Sequence, residues 1–227
     1  MSLRAGGKGM RWWAAAFLIG TVVVAAEVRT GDEGESVALP AAKTSGGMSL
    51  NEALAKRRSV RAFEARPLSP EQISQLCWAA QGITQAEQGL RTAPSAMHLY
   101  ALTVFVVDAK GAFEYQPKPH ALRRLEGVTQ EQFRKEVGQA SVEAAPLCLI
   151  LTIDVEHMRP RSGDKAEQYS LLEAGHVAQN VLLEATALGL GAVPVGGLDE
   201  KKVAGALKLP ANLRPVYLLP VGYPKAK

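Results

Sequence analysis

The sequence predicts an α+β fold in which helices pack an antiparallel-rich sheet. Three observations carry that expectation. "LTVFVV" (102–107) and "LCLILTI" (147–153) are apolar or β-branched runs of strand length. "DKAEQYSLLEAGHVAQNVLLEATALGLG" has no proline from Asp164 to Gly191; it predicts a helix over 165–188, stopped by Gly189. Helices and strands then alternate irregularly along the chain.

Taken in order, the chain opens with "MSLRAGGKGMR", a positive stretch carrying Arg4, Lys8 and Arg11. Trp12 to Ala26 is a 15-residue apolar run, short for a membrane span. Residues 1–26 therefore predict a signal peptide cleaved after Val24-Ala25-Ala26, or a membrane anchor retained through residues 12–26. Either puts the body outside the cytoplasm, in or facing the periplasm. Residues 27–48 are rich in Gly, Glu and Ser and predict a flexible linker. The folded domain is expected over 49–227.

Ser49 and Glu52 form a capping box for a helix to about Arg57. Ser69, Pro70 and Gln72 repeat the device for a helix to about Ala80, ending near Gly82. "FEYQPKPH" (113–120) predicts an edge strand and turn, and a polar helix follows at 129–140. Apolar residues and alanines cover most of the long 165–188 helix, which predicts burial nearly all round. "AVPVGG", a short helix over 199–207 capped by Asp199, and the strand "PVYLLPVGYP" complete the chain.

Composition is that of a globular protein: 227 residues, 47% hydrophobic and 21% charged, enough for a sizeable core. Net charge is +4 and the pI about 9.1. No basic helix face or basic–aromatic interleaving is present, which argues against nucleic acid as a partner. Cys77 and Cys148 both read as small buried hydrophobes; their pairing is left open, and a metal site built on them is not expected.

Four stretches are candidates for chemistry. "KRRSVRAF" (56–63) crowds Arg57, Arg58, Ser59 and Arg61 at a helix end, where guanidinium forks match phosphate oxygens. The alternative is a solvated helix end complementing the helix dipole. Pro94-Ser95-Ala96 is either a plain turn or a place where the backbone approaches a flat ligand. Pro194-Val195-Gly196-Gly197 frees backbone N–H groups from any neighbouring Cβ, although no Rossmann fingerprint surrounds it. Glu173, His176 and Asn180 form a polar stripe on the long helix. Such a stripe more often serves a core or subunit contact than a metal, and no second Glu-x-x-His copy exists. The chain has no nucleophile elbow, P-loop or HExxH, so its chemistry points to a cofactor with its own reactivity.

"RRSVRAF", "LCWAAQGIT", "RTAPSA", "EAGHVAQNVLLEATALGLGAVPVGGLD" and "LPVGYP", in that order, resemble the nitroreductase-like flavoproteins, and most of all their azoline-dehydrogenase-like branch. The resemblance covers roughly residues 50–224. It implies a nitroreductase-like α+β fold, an intertwined homodimer and FMN at the subunit interface. It further implies that Arg57, Arg58, Ser59 and Arg61 hold the phosphate and the polar flavin edge. Pro94, Ser95 and Ala96 would line the ring or ribityl chain from the other subunit. Pro194, Val195, Gly196 and Gly197 would pass along the ring, with a Gly196 or Gly197 N–H near flavin N5 as the catalytic donor. Lys225, with Lys227, is the candidate C-terminal phosphate ligand. The electron donor would be NAD(P)H or, for an exported protein, a non-nicotinamide donor. An FMN-free binding protein of the same fold is the alternative. The branch commonly has glycine after "PSA", where this chain has Met97 and His98.

Overall fold

The computed structural model describes residues 34–225. Its elements are β1 (Ser36–Ala38), α1 (Leu50–Lys56), α2 (Pro70–Gln81), β2 (Ile83–Gln85), β3 (Leu90–Arg91), β4 (Leu102–Asp108), β5 (Gly111–Gln116) and β6 (Ala121–Leu125). There follow α3 (Gln130–Val137), α4 (Ala140–Ala144), β7 (Leu147–Ile153), α5 (Val155–Ser162), α6 (Ala166–Ala187), β8 (Gly191–Ala192), α7 (Glu200–Ala206) and β9 (Arg214–Gly222). Seven strands form one sheet in the order β1-β6-β5-β4-β7-β9-β8, and each neighbouring pair is antiparallel. The α+β expectation holds, and the antiparallel pairing goes further than expected.

Strand alternation builds two cores. Leu102, Val104 and Val106 of β4 and Leu147, Leu149, Leu151 and Ile153 of β7 join the layer that holds α2 and α6. Phe105 and Val107 with Cys148 and Ile150 face the layer that holds α3, α4 and α7. Period-two side-chain geometry explains this division, and it explains why both runs are apolar on both faces, with Thr103 and Thr152 the polar exceptions. The two cysteines fall in different layers, Cys77 in the first and Cys148 in the second, and both are free and buried. Burial pushes the Cys148 thiol up to about 12, so it is not a thiolate at neutral pH.

Both capping boxes form. Ser49 Oγ accepts from Glu52 N at 3.3 Å while Glu52 returns a carboxylate oxygen to Ser49 N at 3.2 Å. Ser69 and Gln72 exchange the same pair at 3.3 and 3.0 Å, with Pro70 in the first turn. α2 ends at Gly82, and α6 ends where Gly189 takes φ 71°, a left-handed value that suits glycine.

Several expectations need correction. The predicted linker, residues 27–48, is structured over its described part, and the domain begins well before Ser49. β1 pairs with β6, and Gln75 clamps Lys43 through both N–H (2.9 Å) and C=O (3.0 Å). Ser74 Oγ also donates to Pro40 O at 2.5 Å. Low apolar content misleads here because backbone hydrogen bonds add an edge strand whatever its side chains. β5 is an inner strand between β4 and β6 rather than an edge. α6 is not buried all round: within one chain Leu171 and Leu172 are 44% and 54% exposed, and His176 is exposed. α5 and the β2–β3 hairpin were not foreseen; α5 carries Pro160 within it, which argues against helix on sequence grounds. The leader or anchor over residues 1–26 lies outside the described residues. No helix among the described residues is long and apolar enough to cross a membrane.

Removing the α2 cap tests this account: Ser69→Ala should destabilise the domain by about 1 kcal/mol in urea unfolding, with an unchanged m-value.

Candidate functional site

The expected site residues fall into two groups. The first lies along the β8 edge of the sheet. Arg57 caps the C-terminus of α1, its N–H donating to Ala53 O at 2.9 Å. Arg58 turns its guanidinium back, Nη1 donating to Ala55 O (3.0 Å) and Arg57 O (2.7 Å). This satisfies orphan carbonyls at the helix end, as the dipole reading anticipated. Beyond it the chain lies beside β8. Ser59 forms a parallel bridge with Ala192, and Val60 N donates to Ala192 O at 3.0 Å. Gly191 permits this approach, since a Cβ there would sit 2.6 Å from Val60 Cβ.

The same strip then meets the chain's end. Phe63 bridges Pro224, Glu64 N donates to Tyr223 O at 2.9 Å, and Lys225 N donates to Ala62 O at 3.1 Å. Val195 exchanges two backbone bonds with Leu218, 2.8 and 3.0 Å, which carries residues 193–195 along β9. Gly196 and Gly197 follow, both exposed, with no intramolecular acceptor for either N–H among the described residues. A Cβ on Gly196 would lie 3.3 Å from the Tyr217 ring, whereas Gly197 has nothing within 4 Å of that position. Backbone pairing thus gathers Ser59, Arg61, Lys225 and two open glycine amides on one edge. Arg57, Arg61 and Lys225 have no ion-pair partner among the described residues. Unneutralised cations beside bare amides suit a phosphorylated ligand with a flat portion.

The second group surrounds Pro94-Ser95-Ala96, packed on the N-terminal half of α6. Ser95 Oγ donates to Glu173 at 2.6 Å and accepts from Tyr100 N at 2.8 Å. Glu173 also accepts from Gln81 Nε2 at 3.3 Å, and Gln81 Oε1 accepts from Arg91 Nη1 at 3.0 Å. The Arg91 guanidinium lies 4.4 Å from the Tyr100 ring centre, and Arg91 N donates to Tyr100 Oη at 3.2 Å. These bonds close a ring through five residues. Burial pushes the Glu173 carboxyl above its ordinary value, against the opposing pull of Ser95, Gln81 and the Arg91 charge. Sequence reasoning singled out Glu173 and missed Gln81, Arg91 and Tyr100, which no spacing rule connects to it. Of the remaining stripe, Asn180 reaches Thr92 O at 3.4 Å, while His176 is exposed. No group of three metal-ligating side chains occurs among the described residues.

Among the described residues, no hydrogen bond or β-bridge joins the two groups within one chain. Glu173 and the helix end at Ala187 are separated by 14 residues of α6, about 20 Å.

The nitroreductase family profile matches residues 54–223, three-quarters of the chain. The chain belongs to the nitroreductase family. The nitroreductase-family protein MJ1384 of Methanocaldococcus jannaschii is 37% identical over 182 residues, covering 76% of this chain and 90% of that one. The NADPH-flavin oxidoreductase of Vibrio harveyi is 30% identical over 181 residues, or 76% of this chain and 65% of that protein. A crystallised nitroreductase-family protein of Ralstonia eutropha JMP134 superposes with a TM-score of 0.79 at 30% identity, covering 87% of this chain and 93% of that one. Its fold is therefore the nitroreductase fold.

Met97, directly after Pro94-Ser95-Ala96, has φ 54° and is 43% exposed. A left-handed backbone disfavours any residue with a Cβ, by about 1 kcal/mol. Met97→Gly should therefore leave stability unchanged or raise it by up to about 1 kcal/mol in chemical unfolding, opposite to the usual cost of glycine.

Glu173 gives a pH test. Because its folded pKa lies above the ordinary 4.5, its contribution to stability is complete below that pH and is lost as pH rises through the raised value. The thermal midpoint of wild type should fall more steeply above about pH 4.5 than that of Glu173→Gln.

Proposed function

We propose that this protein is an FMN-dependent oxidoreductase that acts as a homodimer, with each flavin site completed by both subunits. One observation carries the reading. The strip over residues 59–64, laid between β8 and the end of β9, gathers cations without acidic partners and open glycine amides on one edge. When bound, FMN supplies hydride or electron transfer at N5 in two half-reactions, one with a donor and one with an acceptor.

The chain's own residues do the rest. Arg57, Ser59, Arg61 and Lys225 hold the phosphate and the polar edge, with Arg58 adding Nε and Nη2 beyond the nitrogen it gives to α1. The N–H of Gly196 or Gly197 donates to the ring where negative charge develops, as a preorganised donor in an oxyanion hole does. Positive charge from Arg61 stabilises the electron-rich reduced state.

The lack of any bond between the two groups within one chain supports the dimer reading. A two-fold axis across α6 would bring one subunit's Ser95 loop toward the other's β8 edge. The apolar side chains that such an axis would cover are present, Leu171 and Leu172 on α6 and Leu50 and Leu54 on α1. We place the chain nearest the azoline-dehydrogenase-like branch on its "RTAPSA" run. With Met97 in place of glycine, the substrate face of this protein is narrower than in that branch. Residues 1–26 are assigned as an export leader or tether, so the donor is NAD(P)H or a periplasmic reductant.

The decisive variant is Arg61→Glu. It should purify folded, with a wild-type circular dichroism spectrum and thermal midpoint, yet retain no yellow flavin and bind added FMN at least about a hundredfold more weakly. Wild-type FMN affinity in that variant would refute the assignment.

A further inference from the structure

The proposal rests on the FMN reading above and concerns Glu173, to which that reading gives no role. Glu173 is 2% exposed and Gln81 1% exposed, while Arg91, Tyr100 and Ser95, which complete the ring, are half-buried. Buried polar groups demand partners, and with the Glu173 carboxyl ionised the donor–acceptor count admits one direction of bonding. Arg91 has only N–H groups to give, so Gln81 must present its oxygen to Arg91 and its NH2 to Glu173. Glu173 therefore accepts at one oxygen from Gln81 and at the other from Ser95. The Ser95 hydroxyl has a single proton, and it points at Glu173. One Ser95 lone pair is taken by the N–H of Tyr100. A single lone pair remains.

We propose that Glu173 is a positioning residue that fixes the Ser95 hydroxyl as a hydrogen-bond acceptor toward the flavin, so that the loop recognises an N–H or O–H group on that ligand. The ring also holds the loop in an unusual backbone. Met97, His98 and Tyr100 all have positive φ (54°, 55° and 51°), and Tyr100 is tied at N, ring face and hydroxyl. Without those ties nothing in the local sequence favours three left-handed residues that are not glycine.

Glu173→Gln isolates the effect. An amide at 173 keeps the ring closed in one arrangement: its oxygen takes the bond from Gln81 and its NH2 donates to Ser95 Oγ. In the other orientation NH2 groups confront each other at Gln81, or at Arg91 if Gln81 turns over. The closed arrangement preserves the fold but releases the Ser95 proton, converting the hydroxyl from acceptor to donor.

The experiment is a double-mutant cycle on the full chain with Ser95→Ala. FMN dissociation constants are read from quenching of flavin fluorescence, and thermal midpoints of the flavin-free proteins are measured in parallel. Glu173→Gln should weaken FMN about tenfold when Ser95 is present and less than about twofold in the Ser95→Ala background, while the midpoints show that every variant folds. A loss of affinity of the same size in both backgrounds, or no loss in either, overturns the proposal, because Glu173 would then act without Ser95. Wild-type protein that takes up no FMN overturns the underlying reading and this proposal together. FMN-binding wild type with additive losses overturns this proposal alone.

Discussion

Every residue of β7 from Leu147 to Ile153 is buried, with neighbours β4 and β9 on either side and a helical layer on each face. Burying one large aliphatic side chain is worth about 1.5–3 kcal/mol, and this strand buries five, Leu147, Leu149, Ile150, Leu151 and Ile153. A one-residue slip would exchange the two sets of side chains between layers of different shape, so its register is strongly specified. That register in turn positions β9, and β9 positions the β8-edge group of the candidate site. Val193 and Val195 follow β9, Ser59 follows β8, and Lys225 follows the end of β9. A site assembled by backbone pairing to the most buried part of the sheet tolerates change in its exposed side chains without losing its geometry.

The elements legible in the sequence were those with strong local signals. Two capping boxes, a proline-free helix and two continuous apolar runs each found their counterpart within one or two residues. The failures share a cause. β1, the β2–β3 hairpin and the inner position of β5 depend on partners far along the chain, so composition near Val37 or Leu90 carries little trace of them. The candidate site divides the same way. Arg61 and Gly197 stood out because cations and paired glycines are unusual locally. The ring at Ser95 stayed hidden because Gln81, Arg91 and Tyr100 are unremarkable alone and acquire meaning only when α2, β3 and α6 meet.

The long helix was expected to be covered on all sides, and its apolar composition is real. What it lacks is a covering over Leu171 and Leu172 within one chain. Within one chain, no hydrogen bond or β-bridge among the described residues joins the two halves of the candidate site. The second copy proposed across α6 would answer both, covering the leucines and bringing complementary halves together. Activity would then depend on protein concentration wherever the dimer dissociates.

The chain's last described residue, Lys225, is bonded by its N–H to Ala62, one residue from Arg61. Lys225 therefore lies on the cationic edge itself. An acidic segment joined after Lys225 would begin beside Arg61 and compete for its guanidinium group.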